Sequence, residues 1–478
     1  MLTTLLLFIP IIGGLILTLI PGSSATRWQA LFISAVAAGV SVYMATQYVP
    51  SAATQFEIKA EWITSLGIGY HVGADGISMV LLLLTNLLTP LILLSTFKQE
   101  FDHKGLFYGL LLIMQGSITG VFVSLDLFLY YIFWELALIP AYFLVLLWGS
   151  GNHRKTSLKF FIYTLVGSLL MLVAIIFLSQ QWSPSSFDVS NVHQVNLSPE
   201  AAIFVLMAFM LAYAIKIPLF PFHTWQPDTY TEAPAAGTMM LSGIMLKMGL
   251  FSIIRWVLPV VTQTLAEQRT WMIWLIVIGI AYASIIAIQQ KNLKRLFAYS
   301  SIAHVGLIAA GILTMTPEGL NGSMLQMFAH GVNAVGLFYI CAVLMDRTQT
   351  NEIAALGGIR NFAPWFATTY FVVLLGSVAL PLTNGFPGEF MLLSSLFKYN
   401  WVWTLVAGSG VILGAVYMFK SYQGVMLGET KVVAFPDLDI WDKVVLVPIV
   451  IAIILMGIMP DVITRIAQPS IEHLLQSL

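Results

Sequence analysis

Apolar residues run along this chain in long stretches, and polar residues gather in short breaks between them. About 20 consecutive apolar residues are what one helix needs to cross a bilayer core of about 30 Å. Such segments recur at residues 2–21, 27–46, 76–97, 106–124, 127–149, 157–180, 200–217, 235–257, 270–289, 296–314, 320–345, 364–398, 401–427 and 444–463. The pattern predicts an all-α polytopic membrane protein with about fourteen transmembrane helices. The segments show little alternation and many glycines, which argues for helices packed on helices and against the strands of a barrel. The first segment is expected to remain as a span, because Met1-Leu-Thr-Thr-Leu lacks the basic start of a signal peptide. The longest polar stretches, Tyr48 to Asp75 and Gln181 to Pro199, are too short for a folded domain outside the membrane. Whatever the chain does is expected to happen inside the bilayer.

Two stretches interrupt the helical pattern at membrane depth. Lys216-Ile-Pro-Leu-Phe-Pro-Phe-His-Thr-Trp-Gln-Pro-Asp228 carries three prolines within ten residues, and Pro381-Leu-Thr-Asn-Gly-Phe-Pro-Gly388 carries two prolines and two glycines within eight. Neither stretch can be continuous α-helix. They fall in the seventh and twelfth spans, so spans four to eight (residues 106–258) and nine to thirteen (259–428) form two five-helix repeats. An odd number of helices gives the repeats inverted topology. Residues 1–105 supply three further helices before them, and 429–478 the last.

Composition sharpens the picture. The chain is 59% hydrophobic and 9% charged, against about 45–50% and about 25% for soluble domains, which excludes a soluble protein. A single cysteine, Cys341, allows no intramolecular disulfide and no multi-cysteine metal or iron–sulfur site. No cofactor and no metal is therefore expected in this chain, and no redox centre. A net charge of −1 without basic clusters argues against nucleic acid; lipids surround the spans. Of the basic residues, Arg27, Lys98, Lys104, Arg154, Lys155, Lys159, Lys291, Lys294, Arg295, Arg347, Arg360, Lys420, Lys431 and Lys443 lie on or beside odd-numbered loops. Only Lys59, Arg255, Arg269, Lys398 and Arg465 lie on even loops or the tail. The positive-inside rule places the odd loops in the cytoplasm and both termini on the other side.

Four charged residues stand well inside apolar spans: Glu135, Lys216, Lys247 and Glu389; His304 and His330 join them on successive spans. Each buried charge costs about 2.5–3.5 kcal/mol on insertion scales. A static pair such as Glu135 with Lys216, locking two helices, explains two of them and leaves Lys247 without an acid nearby in sequence. Packing or hydrogen bonding would suffice for either histidine alone. The alternative for the whole set is a proton path, because removal from water makes both amines and carboxyls easier to neutralise and histidine titrates at about 6.5. Both helix breaks adjoin one of the charges, and broken helices are where transporters place ion sites. Solvated or capping roles suffice for His71, His103, His153, His193 and His223. No phosphate loop, metal cluster or nucleophile elbow occurs.

The stretches Phe133-Trp-Glu-Leu-Ala-Leu-Ile-Pro140, Lys216 to Asp228 with Glu232-Ala-Pro234, Arg295-Leu-Phe-Ala-Tyr-Ser-Ser-Ile-Ala-His304 and Gly385-Phe-Pro-Gly-Glu389 resemble the antiporter-like subunits of respiratory complex I, along essentially the whole chain. Glutamate at 389, and Gly73-Ala-Asp-Gly-Ile-Ser78 at the third span, resemble the M type among them. The resemblance implies a fourteen-helix fold with a polar axis in the membrane plane, and proton translocation as a subunit of an NADH:quinone oxidoreductase in a bacterial inner membrane. By motif it makes Glu135 an ion-pair acid, Lys216 its lysine, Lys247 the central lysine, His304 and His330 the connecting relay, and Glu389 the terminal acid. It implies NADH, flavin, iron–sulfur clusters and quinone in partner subunits, with other membrane-arm subunits as neighbours. Pro387 departs from the pattern and is expected to tighten the second break. A multisubunit sodium/proton antiporter shares these motifs. An intramembrane lipid enzyme would want a polar loop beside a surface carboxylate, and a purely structural subunit would tolerate neutralising Lys247.

The charge asymmetry yields a topological prediction. A cysteine at Lys155 or Lys294 should be protected from an impermeant thiol reagent in intact cells, and one near residue 190 should label. Labelling from outside at an odd loop would reverse the orientation.

Overall fold

The computed structural model describes residues 1–432 and 434–478. Among the described residues, thirteen helices are long and apolar enough to cross a membrane, and Pro364–Ser377 with Gly385–Tyr399 make a broken fourteenth. In chain order, spans 1 to 14 are Leu2–Leu19, Thr26–Gln47, Gly76–Leu94, Lys104–Val123, Leu127–Trp148, His153–Ser179, Pro199–Lys216, Ala235–Val260, Thr262–Ile288, Leu293–Leu313, Pro317–Thr348, the broken pair, Trp401–Met426 and Ile440–Ile458. Spans 4, 8, 10 and 11 are almost wholly enclosed by the others, while spans 1, 2, 6, 13 and 14 turn apolar side chains such as Phe32, Val173 and Ile412 outward. An apolar outer surface is what lipid contact requires, and a helix that is apolar all round is a buried one.

Side-chain caps fix several span ends. The Asp126 carboxylate accepts from the amides of Phe128 and Leu129 at the start of span 5, Asn292 accepts from Arg295 N–H at span 10, and Asp439 forms a capping box at span 14. The first break falls where the prolines place it: span 7 stops at Lys216 and helix resumes only at Gln226–Glu232. The indole N–H of Trp225 donates to the Ile215 carbonyl at 2.9 Å, satisfying a group that the lost turn leaves open. The second break is shorter than the sequence suggests. Helix resumes at Gly385, so Gly385-Phe-Pro-Gly388 form its first turn and Glu389 lies just beyond them. Pro387 does not tighten the break; near a helix start its missing N–H would have had no partner within the helix.

Loops sort cleanly onto two faces. On one, Arg27 reaches the Phe97 carbonyl, Lys159 and Arg295 both hold Asp228 at 2.9 Å, and Lys98 pairs with Asp442 at 2.8 Å. All are odd-loop residues or their flanks. On the other, Arg255 pairs with Asp75 at 2.6 Å and the Gly76 amide donates to Ser470 in the tail. A Cβ on Gly76 would meet the Ile466 carbonyl oxygen at 2.0 Å, so the tail can rest on span 3 only over a glycine.

Several features of the loops and tail were not expected. Residues 48–75 are not a plain loop: Gln55–Ile63 (β1) pairs antiparallel with Ile68–Ala74 (β2). The alternation of Phe56, Ile58, Ala60 and Trp62 with charged neighbours carries that signal. His71 on β2 is buried, with Nδ1 2.9 Å from Asp188 and Nε2 2.7 Å from Glu57. Burial alone would push its pKa down, but the two carboxylates raise it. His193 is neither free nor solvated; its Nε2 donates to the Arg255 carbonyl at 3.0 Å, and burial with the Arg255 charge lowers its pKa to about 4. His223, in the first break on the odd side, is buried as well. The tail itself is a helix, Asp461–Ser477, with one face against span 3. Lys294, on the odd face, is also buried and holds the Ala233 carbonyl, so Lys155 is the informative labelling site.

Asp442 ties the odd face together. Its carboxylate, 1% exposed, accepts from Lys98, Arg347 and the Tyr339 hydroxyl, joining spans 3, 11 and 14. Removing one partner of a buried pair costs about 3–5 kcal/mol because the other charge is left behind. Asp442→Ala should therefore lower the thermal midpoint of the purified protein by several degrees and Asp442→Asn by less; an unchanged midpoint in the alanine variant would show that this knot contributes nothing.

Candidate functional site

The enclosed spans carry a line of polar side chains through the middle of the bundle. Lys247, on span 8, is fully buried. It lies between two π-helical segments, Leu241–Met245 and Ile253–Val257. A π-turn bonds residue i to i+5 and frees carbonyl oxygens from the ordinary ladder. The Lys247 ammonium takes one of them, donating to the Ser242 carbonyl at 2.7 Å. Its second partner is His330 on span 11, with Nζ 2.8 Å from Nδ1. The other ring nitrogen of His330 is 3.0 Å from the Ser301 hydroxyl of span 10. One turn along span 10, His304 lies with its ring centre 6.0 Å from that of His330, and its Nδ1 is 3.0 Å from Glu389 Oε1. Lys247, His330, His304 and Glu389 thus stand in sequence across spans 8, 11, 10 and 12.

The other two candidates form a separate cluster at the end of span 7. Span 8 approaches that end over Gly249, where an added Cβ would meet the Ile217 side chain at 2.5 Å. Lys216 is buried, and its ammonium sits 5.0 Å from the centre of the Trp134 ring. The expected direct ion pair is not formed: neither Lys216 Nζ nor Glu135 Oε1 has a hydrogen-bond partner. Trp134 precedes Glu135 in the chain and takes the position facing the lysine, so a cation–π contact stands where a carboxylate contact was expected. Beside it, the Tyr130 hydroxyl is 2.6 Å from the Ser252 hydroxyl and 3.4 Å from that of Tyr213.

Several members of the line were not picked out from sequence. Ser301 meets His330, the Gln326 amide donates to Glu389 Oε1 at 3.0 Å, and the Asn384 amide donates to Asn333 at 3.1 Å. The signal was present. Gln326, His330 and Asn333 follow at i, i+4 and i+7, and Ser301 and His304 at i and i+3, which places each set on one helix face. Among the described residues, no group of three or more His, Cys, Asp or Glu side chains converges on a metal-sized site.

Residues 124–414 match the family described as NADH:quinone oxidoreductase/Mrp antiporter, transmembrane. The chain is 36% identical to the NADH-quinone oxidoreductase subunit M of Rickettsia bellii, across 98% of this chain and 97% of that one. It is 32% identical to the NADH-ubiquinone oxidoreductase chain 4 of Marchantia polymorpha, across 98% and 96%. Its structure superposes on a chain of respiratory complex I from Thermus thermophilus with a TM-score of 0.93 at 30% identity, covering 100% of both. A chain of the Mrp complex from Dietzia shares the fold, with a TM-score of 0.87 at 17% identity over 99% of this chain and 97% of that one.

The contacts at Glu389 give a prediction about integrity. Glu389→Ala leaves the buried Gln326 amide and the partly buried His304 ring without their shared acceptor, at about 1–3 kcal/mol for the buried one, whereas Glu389→Gln keeps an oxygen in place. The assembled amount of the alanine variant in native gels should fall well below that of the glutamine variant. Equal amounts would show that the two contacts are not formed in the membrane.

Proposed function

We propose a function on one premise: the chain belongs to the NADH:quinone oxidoreductase/Mrp antiporter transmembrane family, and within it to the subunit M group of NADH-quinone oxidoreductases. It acts as a proton-translocating subunit of the membrane arm, beside other membrane-arm subunits. The supporting observation is the line of four side chains in which Lys247 contacts His330, His304 contacts Glu389, and the two histidine rings lie 6.0 Å apart centre to centre. Electron transfer supplies the energy from partner subunits that hold the flavin, the iron–sulfur clusters and the quinone site. By its distribution of basic residues, the odd face lies in the cytoplasm of a bacterial cell and both termini lie outside the inner membrane.

Within the chain, Lys247 holds a proton at Nζ, with the Ser242 carbonyl as a fixed partner and His330 Nδ1 as the acceptor 2.8 Å away. A histidine that gains a proton at one ring nitrogen can release one from the other, so His330 and His304 each pass charge without moving their rings far. Glu389 takes the proton from His304 Nδ1 across 3.0 Å and is the exit, next to the second break. Lys216 and Glu135 set the charge at the opposite end. Because Lys216 is stacked on Trp134 and not bonded to Glu135, the charge it carries depends on how near Glu135 comes.

Neutralising Lys247 tests the reading. In reconstituted vesicles, with pumping normalised to assembled complex, Lys247→Met should lower proton translocation by about 10²-fold or more, the usual worth of a positioned acid–base group. Lys247→Arg should also fail in large part, since guanidinium does not deprotonate. Wild-type pumping by Lys247→Met would make the chain a scaffold. Copurification with an NADH-oxidising arm, and not with sodium/proton antiporter subunits alone, checks the assembly.

A further inference from the structure

A second group holds Glu389 besides His304. Gln326, 3% exposed, lies one turn before His330 on span 11 and donates from Nε2 to Glu389 Oε1 at 3.0 Å. It can do so because residue 388 is glycine: a Cβ there would meet Gln326 Oε1 at 2.7 Å and its backbone nitrogen at 2.9 Å. The other end of the amide, Oε1, is buried and has no hydrogen-bond partner. An unsatisfied buried carbonyl oxygen costs free energy unless something donates to it. Gln326 also lines a cavity with about 20 Å³ open to the centres of water molecules, together with His304, His330, Ser301 and Asn333. A water needs roughly 10–15 Å³ by that measure and two to four polar partners. The cavity provides both, and it lies between the two histidines, whose ring centres are 6.0 Å apart and whose ring nitrogens are not hydrogen-bonded to each other.

We propose that Gln326 is a positioning residue of the relay: its N–H fixes the Glu389 carboxylate against His304, and its carbonyl oxygen holds a water that bridges His304 and the Ser301 hydroxyl, itself 3.0 Å from His330 Nε2. This rests on the relay reading and adds to it the step that the direct contacts leave open. His330 Nε2 gives its proton to the Ser301 oxygen while the Ser301 hydroxyl proton passes to the water and one of the water's own protons passes to His304 Nε2, so serine and water are both regenerated and no other reactant is needed. Gln326 itself neither gains nor loses a proton. The charged and titratable groups around the step are Lys247 on span 8, His304 on span 10, His330 on span 11 and Glu389 on span 12.

The test compares Gln326→Met, which keeps the length and removes donor and acceptor, with Gln326→Glu, whose carboxyl, held protonated beside Glu389, keeps a donor toward that carboxylate and an acceptor oxygen. Pumping per assembled complex in vesicles should fall about tenfold in the methionine variant, the worth of one buried charge-assisted hydrogen bond. The glutamate variant should recover much of it. The carboxyl stretch of Glu389 in the infrared difference spectrum should shift in the methionine variant, a change that a merely structural glutamine would not cause. If Gln326→Met assembles poorly, Gln326→Asn carries the same comparison, because it withdraws the amide by about 1.5 Å. Wild-type pumping, or an unshifted carboxyl band, in the variant that assembles overturns the inference. Lys247→Met, measured beside it, separates the two readings: loss there with normal pumping at 326 overturns this inference alone, and normal pumping in Lys247→Met overturns the relay itself.

Discussion

An ammonium group enclosed by an apolar bundle has lost its water, and nothing else in the structure is so constrained by that loss as Lys247. The cost is about 2.5–3.5 kcal/mol even on lenient scales, and no carboxylate lies beside it. Its two contacts are a backbone carbonyl and a histidine nitrogen, at 2.7 and 2.8 Å. Both are neutral acceptors, so they hold a proton at the lysine without fixing it there as a buried carboxylate would. The rest of the core is arranged around that requirement. Span 8 is widened into π-turns on either side of the lysine, which brings the Ser242 carbonyl within reach. Spans 10 and 11, themselves enclosed, bring His330 to the lysine, Ser301 to His330 and His304 to Glu389.

Irregular backbone in a membrane is tolerated where polar partners are at hand, and each break here has them. At the first, Trp225 covers the Ile215 carbonyl. At the second, Asn384 reaches across to Asn333, Gly385 lets the two halves of span 12 meet at the Gly376 carbonyl, and Gly388 lets the second half lie close against Gln326 of span 11. Outside the bilayer, opposite charges do the fastening: Asp442 binds spans 3, 11 and 14 on one face, and Asp75 with Arg255 binds spans 3 and 8 on the other. The polar line runs through the most enclosed spans of the molecule.

Much of this could be read from residue order, because the membrane makes the code simple. Fourteen spans follow from length and apolarity, both breaks from clustered proline and glycine, and the chemistry from six side chains too costly to bury without a reason. The residues that escaped notice are those whose cost is smaller. Gln326, Asn333 and Ser301 are neutral and common within helices, so only their spacing from His330 and His304 marks them. The hairpin escaped because its alternation spans nine residues inside a stretch read as loop. The Glu135–Lys216 contact failed for a different reason: a motif fixes which residues are near one another, but not which of Trp134 and Glu135 turns toward the lysine.

The central claim is that Lys247, His330, His304 and Glu389 form one path and not several independent contributions. Pumping rates in a double-variant cycle test it most directly, using Lys247→Met, Glu389→Gln and the two together, each normalised to assembled complex. Members of a single path are not additive, since once one is lost the other has nothing left to transmit. The account predicts that the double variant pumps no more slowly than the worse single variant. A double variant whose loss is the product of the two single losses would contradict it.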